Sequence, residues 1–114
     1  MKIEKFEDII SWQKSEKLTV EIYNIFKEIK DFGFKNQIQR ASVSIMNNIA
    51  EGFERKGNKE FKYFLFVSKG SCSEVRSMLH LSLQFNYINN KKYEELNNLS
   101  IEISKLLSGL IKTL

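Results

Sequence analysis

The 114-residue chain has no proline, a single cysteine and a single histidine. Without proline, nothing in the sequence forces a break in the hydrogen-bond ladder of a long helix. One cysteine excludes an intramolecular disulfide and any cysteine-based zinc site built within one chain. One histidine excludes a two-histidine metal site, so neither metal nor cofactor is expected. Glycine is scarce, with five residues, and no glycine-rich phosphate loop, zinc-helix motif or nucleophile elbow is present. Apolar runs extend only a few residues, which predicts no membrane span. The opening stretch MKIEKFEDII places acidic residues where a signal peptide needs unbroken apolar sequence, so a cytoplasmic protein is expected.

What is present is helical periodicity. The apolar fraction of 42% and charged fraction of 28% are those of a globular chain, and the length suits one domain over residues 1–114. In the first segment Leu18, Ile22, Ile25 and Ile29 form a stripe widened by Trp12, Tyr23 and Phe26, with Gly33 as its stop and Asp31 nearby. A second segment from about Phe34 to Phe53 carries Phe34, Ile38, Ala41, Ile45 and Ile49 on one face. Glu54 to Asn58 reads as a turn, with Asn58 as the N-cap of a third helix that runs from about Lys59 to Phe85. Its core edge is Phe61, Leu65, Ser68, Cys72, Val75 and Leu79, and the small residues around Gly70 predict a closely approaching neighbour. After an asparagine-rich turn, Leu96, Leu99, Ile103, Leu106 and Leu110 form the seam of a fourth helix. Four helices joined by short turns predict an all-α, antiparallel up-down-up-down four-helix bundle.

The net charge of +4 is unevenly distributed. Residues 1–33 hold six basic and seven acidic side chains, residues 34–90 eight and four, and residues 91–114 four and three. The imbalance therefore sits in the middle of the chain. Basic patches favour polyanions or an acidic partner, although solubility alone also accounts for a modest excess.

Candidates for catalysis are weak. His80 stands alone, and Cys72 lies among small residues on a core-facing helix, which suits packing. Asn47, Asn48 and Glu51 share one helical neighbourhood, where they could hold a ligand or bridge helices by hydrogen bonds. The stronger pattern is on the third helix. Lys62, Lys69 and Arg76 recur every seven residues, with Phe66, Ser73 and His80 between them, so the six align on one face. Lys59 and the turn residues Arg55 and Lys56 extend the positive end. Such a row suits a phosphate backbone without reading sequence, and Phe66 is placed to stack on a base. The competing reading is an ordinary solvated face. A second apolar patch on the second helix (Val43, Met46 and Ala50), together with Tyr63 and Phe66, exceeds the needs of one core and predicts a subunit contact. Phe66 is thus open to either role.

Three stretches together resemble a known family: Phe6 to Lys14 (FEDIISWQK), Gln37 to Ile45 (QIQRASVSI) continuing into Asn48 to Phe53 (NIAEGF), and Lys59 to Leu65 (KEFKYFL) leading to Gly70, Ser71 and Glu74. They are similar to the bacterial 23S ribosomal RNA intervening-sequence proteins, a structural group that includes the accessory variability determinant of diversity-generating retroelements. The resemblance covers nearly the whole chain. It implies an antiparallel four-helix bundle that assembles as a ring, typically a homopentamer, and a role without catalysis. Relatives in retroelements bind nucleic acid and a reverse transcriptase through basic surface. Arg40, Asn48, Glu51, Gly52 and Arg55 match the family pattern, which attaches no firm activity to them. Two departures stand out: Met46 replaces a common proline, and the turn before Gly33 is short and lacks another. The expected function is an oligomeric RNA- or DNA-binding accessory protein; the alternative is a scaffold that meets an enzyme partner, such as a reverse transcriptase, without touching nucleic acid.

Overall fold

The helical periodicity resolves into four α-helices: α1 (Ile10–Ile25), α2 (Phe32–Glu54), α3 (Asn58–Gln84) and α4 (Asn90–Lys112). A single 3-10 turn, Phe6–Asp8, precedes them. The structure, a computed structural model, describes residues 3–114. Met1 and Lys2, part of the opening stretch read above, lie outside the described residues. No helix among the described residues is long and apolar enough to cross a membrane.

Cross-helix contacts fix the topology. Thr19 bonds the Ser42 carbonyl and Phe26 packs on Phe34, so α1 and α2 run antiparallel. Gln37 meets Glu74 and Ser44 meets Ser71, which makes α2 and α3 antiparallel. Lys69 meets Ser108 and Cys72 meets Ser100 between α3 and α4, and Lys14 meets Glu102 between α1 and α4. Each helix packs on its chain neighbours, and α1 and α4 close the ring. This is the expected up-down-up-down bundle, with one core that includes Leu18, Ile22, Phe26, Ile38, Ile45, Ile49, Leu65, Leu79, Leu96, Ile103 and Leu107, all fully enclosed. Each such side chain contributes roughly 1.5–3 kcal/mol by leaving water.

Several local expectations need correction. The α1 helix ends at Ile25, and Ile29 lies in the following turn rather than on the helical stripe. Gly33 does not stop α1; it is in the first turn of α2, whose N-cap is Asp31, with Oδ1 accepting from the Phe34 amide at 3.1 Å. Asn58 is the first helical residue of α3, not its cap, and the preceding Gly57 adopts φ 110°, a conformation glycine tolerates. Tyr23 is exposed rather than part of the core stripe. The buried register of α4 is Leu96, Ser100, Ile103 and Leu107, with Leu99, Leu106 and Leu110 on its flanks. A serine occupies a core position there because its hydroxyl bonds the Leu96 carbonyl one turn back at 2.9 Å. Helix α2 continues through Met46.

Gly70 does not carry the close helix approach, since a Cβ built on it meets nothing within 4 Å. Gly52 does: a Cβ there would lie 2.7 Å from Phe64 Cβ and 3.1 Å from the Phe61 ring. Beside it the Ser68 hydroxyl donates to the Ile45 carbonyl at 2.7 Å, and Ser71 and Ser44 share a hydrogen bond of 2.9 Å. The α2–α3 seam is thus closed by small residues and hydroxyls. Gly52→Ala should force the helices apart and lower stability by about 1–3 kcal/mol, read as a fall in thermal midpoint, whereas Gly70→Ala should raise it slightly.

Candidate nucleic-acid interface

The predicted cation row follows from how α3 is rotated. Leu65, Ser68, Cys72, Val75 and Leu79 turn inward, which leaves positions 62, 66, 69, 73, 76 and 80 along one outer edge for about 27 Å at helical rise. Phe66, Ser73, Arg76 and His80 are exposed, while Lys62 and Lys69 are half-buried. The row borders α4: Lys69 Nζ donates to Ser108 Oγ at 2.7 Å, and the His80 ring stands edge-on to Tyr93 at 6.2 Å. Ser73 donates to the Lys69 carbonyl at 3.2 Å.

Of the two carboxylates on α3, Glu60 lies in the first turn and Glu74 faces α2. Glu74 accepts from Gln37 Nε2 across the α2 seam at 3.2 Å. Among the described residues, Lys56, Lys59, Lys62, Lys69 and Arg76 make no ion pair within 4.0 Å. Arg55 differs from the others. Its guanidinium is bound to Glu51 at 2.8 Å and stacks over Phe64 at 5.1 Å. That Glu51 hydrogen bond, the largest influence, raises the Arg55 pKa despite some desolvation. Arg55 therefore arrives neutralised by its neighbour, and the free positive end of the row is Lys56 and Lys59.

The remaining sequence candidates scatter. Asn48 Nδ2 bonds the Ser44 carbonyl and hydroxyl at 2.8 and 3.0 Å, so its amide is used locally. Asn47 is exposed and lines a shallow groove with Tyr23, Arg40 and Val43 at the α1–α2 seam. With Glu51 tied to Arg55, the Asn47, Asn48 and Glu51 group does not converge on one ligand position. Val43 faces that α1 seam, and Met46 and Ala50, also half-buried, follow it at helical spacing. Tyr63 and Phe66, 63% and 56% exposed, project from α3, which lies diagonally across the bundle from α1. The apolar residues assigned to subunit contact therefore form two separate surfaces.

Cys72 is enclosed and donates to the Ser100 carbonyl at 3.0 Å. Burial pushes its thiol from 9.0 up to about 11, against the opposing pull of Arg76 and Lys69. Below about pH 9 the thiolate fraction falls about a hundredfold, which leaves little nucleophile.

A closed antiparallel ring of four long helices with a one-signed edge defines a small helical-bundle protein that has a basic flank. The chain belongs to the 23S rRNA-intervening sequence protein family, which it matches over residues 7–109. A solved structure of similar shape is a protein of unknown function from the S23 ribosomal protein family of Bacteroides thetaiotaomicron. It is 33% identical, with a TM-score of 0.85, and the match covers 90% of this chain and 99% of that one. A search of curated proteins finds no match.

The Cys72 environment predicts that iodoacetamide at pH 8 labels the thiol only after unfolding in urea. The stability contributed by the protonated thiol is fully present below about pH 9 and is lost as pH rises through about 11.

Proposed function

We propose that this protein is a non-enzymatic, cytoplasmic accessory protein that binds RNA or DNA through the α3 edge without reading base sequence. The observation that supports it is the row of Lys62, Lys69 and Arg76, continued by Lys59 and Lys56, with no ion-paired carboxylate along it among the described residues. Solvated helix faces ordinarily mix both signs. A one-signed row attracts phosphates and releases their counterions, and Phe66 between two cations offers a stacking face wherever a subunit contact leaves it uncovered. The methylene stems of Lys62 and Lys69 lie partly against the bundle, which limits the freedom they lose on binding.

The same reading includes self-association. Two distinct apolar surfaces, one at Val43, Met46 and Ala50 and one at Tyr63 and Phe66, suit head-to-tail contacts, which need unlike faces and close into rings. A homopentamer is the proposed ring. The exposure of Tyr63 and Phe66 also favours a second reading, in which an enzyme partner such as a reverse transcriptase covers them and nucleic acid is not bound directly.

Binding to a structureless RNA should weaken about fiftyfold between 50 and 200 mM salt if four phosphates are neutralised. Lys62→Glu with Lys69→Glu should abolish binding at unchanged helical circular dichroism. Salt-insensitive or absent binding defeats the reading and leaves the protein-partner alternative. Sedimentation at micromolar concentration should show an assembly that Tyr63→Ser with Phe66→Ser dissociates; a wild-type monomer would rule out the ring.

A further inference from the structure

The chain has three arginines, Arg40, Arg55 and Arg76. Arg55 is bound to Glu51, and Arg76 belongs to the α3 edge. Arg40 has neither assignment. It is exposed on α2, which lies diagonally across the bundle from α4, and among the described residues it makes no ion pair within 4.0 Å. Two grooves meet at its side chain. The one toward α3, about 430 Å³, also holds Glu74, whose carboxylate accepts from Gln37 and would repel an anion. The one toward α1, about 370 Å³, is lined by Tyr23, Arg40, Val43, Ser44, Asn47 and Asn48. The guanidinium is the sole charged group on that lining, so the field of this groove draws anions. Its volume lies at the lower end of the range for small-molecule sites.

The other lining side chains narrow the choice of anion. Ser44 Oγ is engaged, sharing a hydrogen bond with Ser71 at 2.9 Å and accepting from Asn48 Nδ2 at 3.0 Å. Asn48 also donates to the Ser44 carbonyl, so its amide nitrogen is held and its Oδ1 is left to accept. Tyr23, Arg40 and Asn47 are all open to solvent, and Tyr23, 43% exposed, presents an aromatic ring beside the cation. The Asn47 amide adds two donors and an acceptor. A guanidinium grips a phosphate through two parallel hydrogen bonds, an aromatic ring stacks on a base, and an amide pairs with a base edge. A nucleotide carries all three partners in one small molecule.

We propose that the α1–α2 groove binds a nucleotide that bears a terminal phosphate, with the phosphate on Arg40, the base against Tyr23 and the base edge at Asn47. Free nucleoside monophosphates and the phosphorylated end of a strand share this chemistry. The site is independent of the α3 edge. The probe is adenosine monophosphate, titrated into the full chain by isothermal calorimetry and by amide chemical shifts. Saturable binding is expected, with shifts centred on Tyr23, Arg40 and Asn47. Adenosine and inorganic phosphate, each lacking one anchor, should bind about tenfold more weakly or worse. Arg40→Gln should weaken the nucleotide about tenfold and Tyr23→Ala about fivefold, both at an unchanged thermal midpoint because both side chains are exposed. Displacement of the nucleotide by an oligonucleotide with a terminal phosphate, but not by its hydroxyl-ended counterpart, assigns the strand end; displacement by neither assigns the free nucleotide. Equal displacement by both overturns the proposal. Absent or non-saturable binding, shifts centred on α3, inorganic phosphate as tight as the nucleotide, or unchanged binding in either variant also overturns it. So does altered sedimentation of Arg40→Gln, because a second copy of the chain would then cover the groove.

Discussion

The close α2–α3 seam governs the rest of this structure. Where Gly52 meets Phe64 there is no room for a side chain, and where Ser68 and Ser71 meet Ile45 and Ser44 hydroxyls replace apolar bulk. Hydrogen bonds at 2.7–2.9 Å across the seam tolerate little sliding or rolling. The rotation of α3 about its own axis is therefore set, and that rotation decides which side chains face outward. A roll of one residue position, about 100°, would carry the cations away from their present edge. The placement of charge is in this sense a consequence of packing among small residues.

The electrostatic character of the edge comes from how the acidic groups are used. The protein has 14 acidic residues against 18 basic ones, a ratio that would ordinarily neutralise most surfaces. Here Glu51 holds Arg55, Glu102 holds Lys14, Glu95 holds Lys92, and Glu74 serves Gln37. These partnerships lie on the α1–α4 and α2–α3 seams or within one helix. The α3–α4 border instead offers hydroxyls, as Ser108 does for Lys69. A hydroxyl accepts a hydrogen bond from an ammonium group without cancelling its charge, so Ser108 orients Lys69 and leaves its charge uncompensated.

Much of the bundle was legible in the sequence because apolar spacing reports burial directly. The inward faces of α2 and α3, from Phe34 to Ile49 and from Leu65 to Leu79, are those the spacing marks. Two of the failures share a cause: small or polar residues in buried positions carry no apolar signal. Ser100 at the centre of the α4 register made its leucine flanks look like the seam. Gly70 and Gly52 are equal as letters, and only the position of Phe64 distinguishes the one that faces a neighbour. Arg55 and Lys56 are likewise adjacent cations in sequence, yet Glu51 engages the first and leaves the second free.

At the end of the bundle that carries the α1–α2 and α3–α4 turns, one carboxylate serves two masters. Asp31 Oδ1 caps α2, while Oδ2 accepts from Tyr87 Oη at 2.9 Å, in a residue pair 56 positions apart. Tyr87 follows Asn86, whose φ of 60° directs the chain out of α3, and its ring packs edge-on to Phe34. The acid is thus prepared by a local event, the start of a helix, and completed by a distant one, the docking of a turn. A bond of that reach spans the whole hairpin of α2 and α3 and is satisfied only when the two helices stand in register. It acts as a latch on that register.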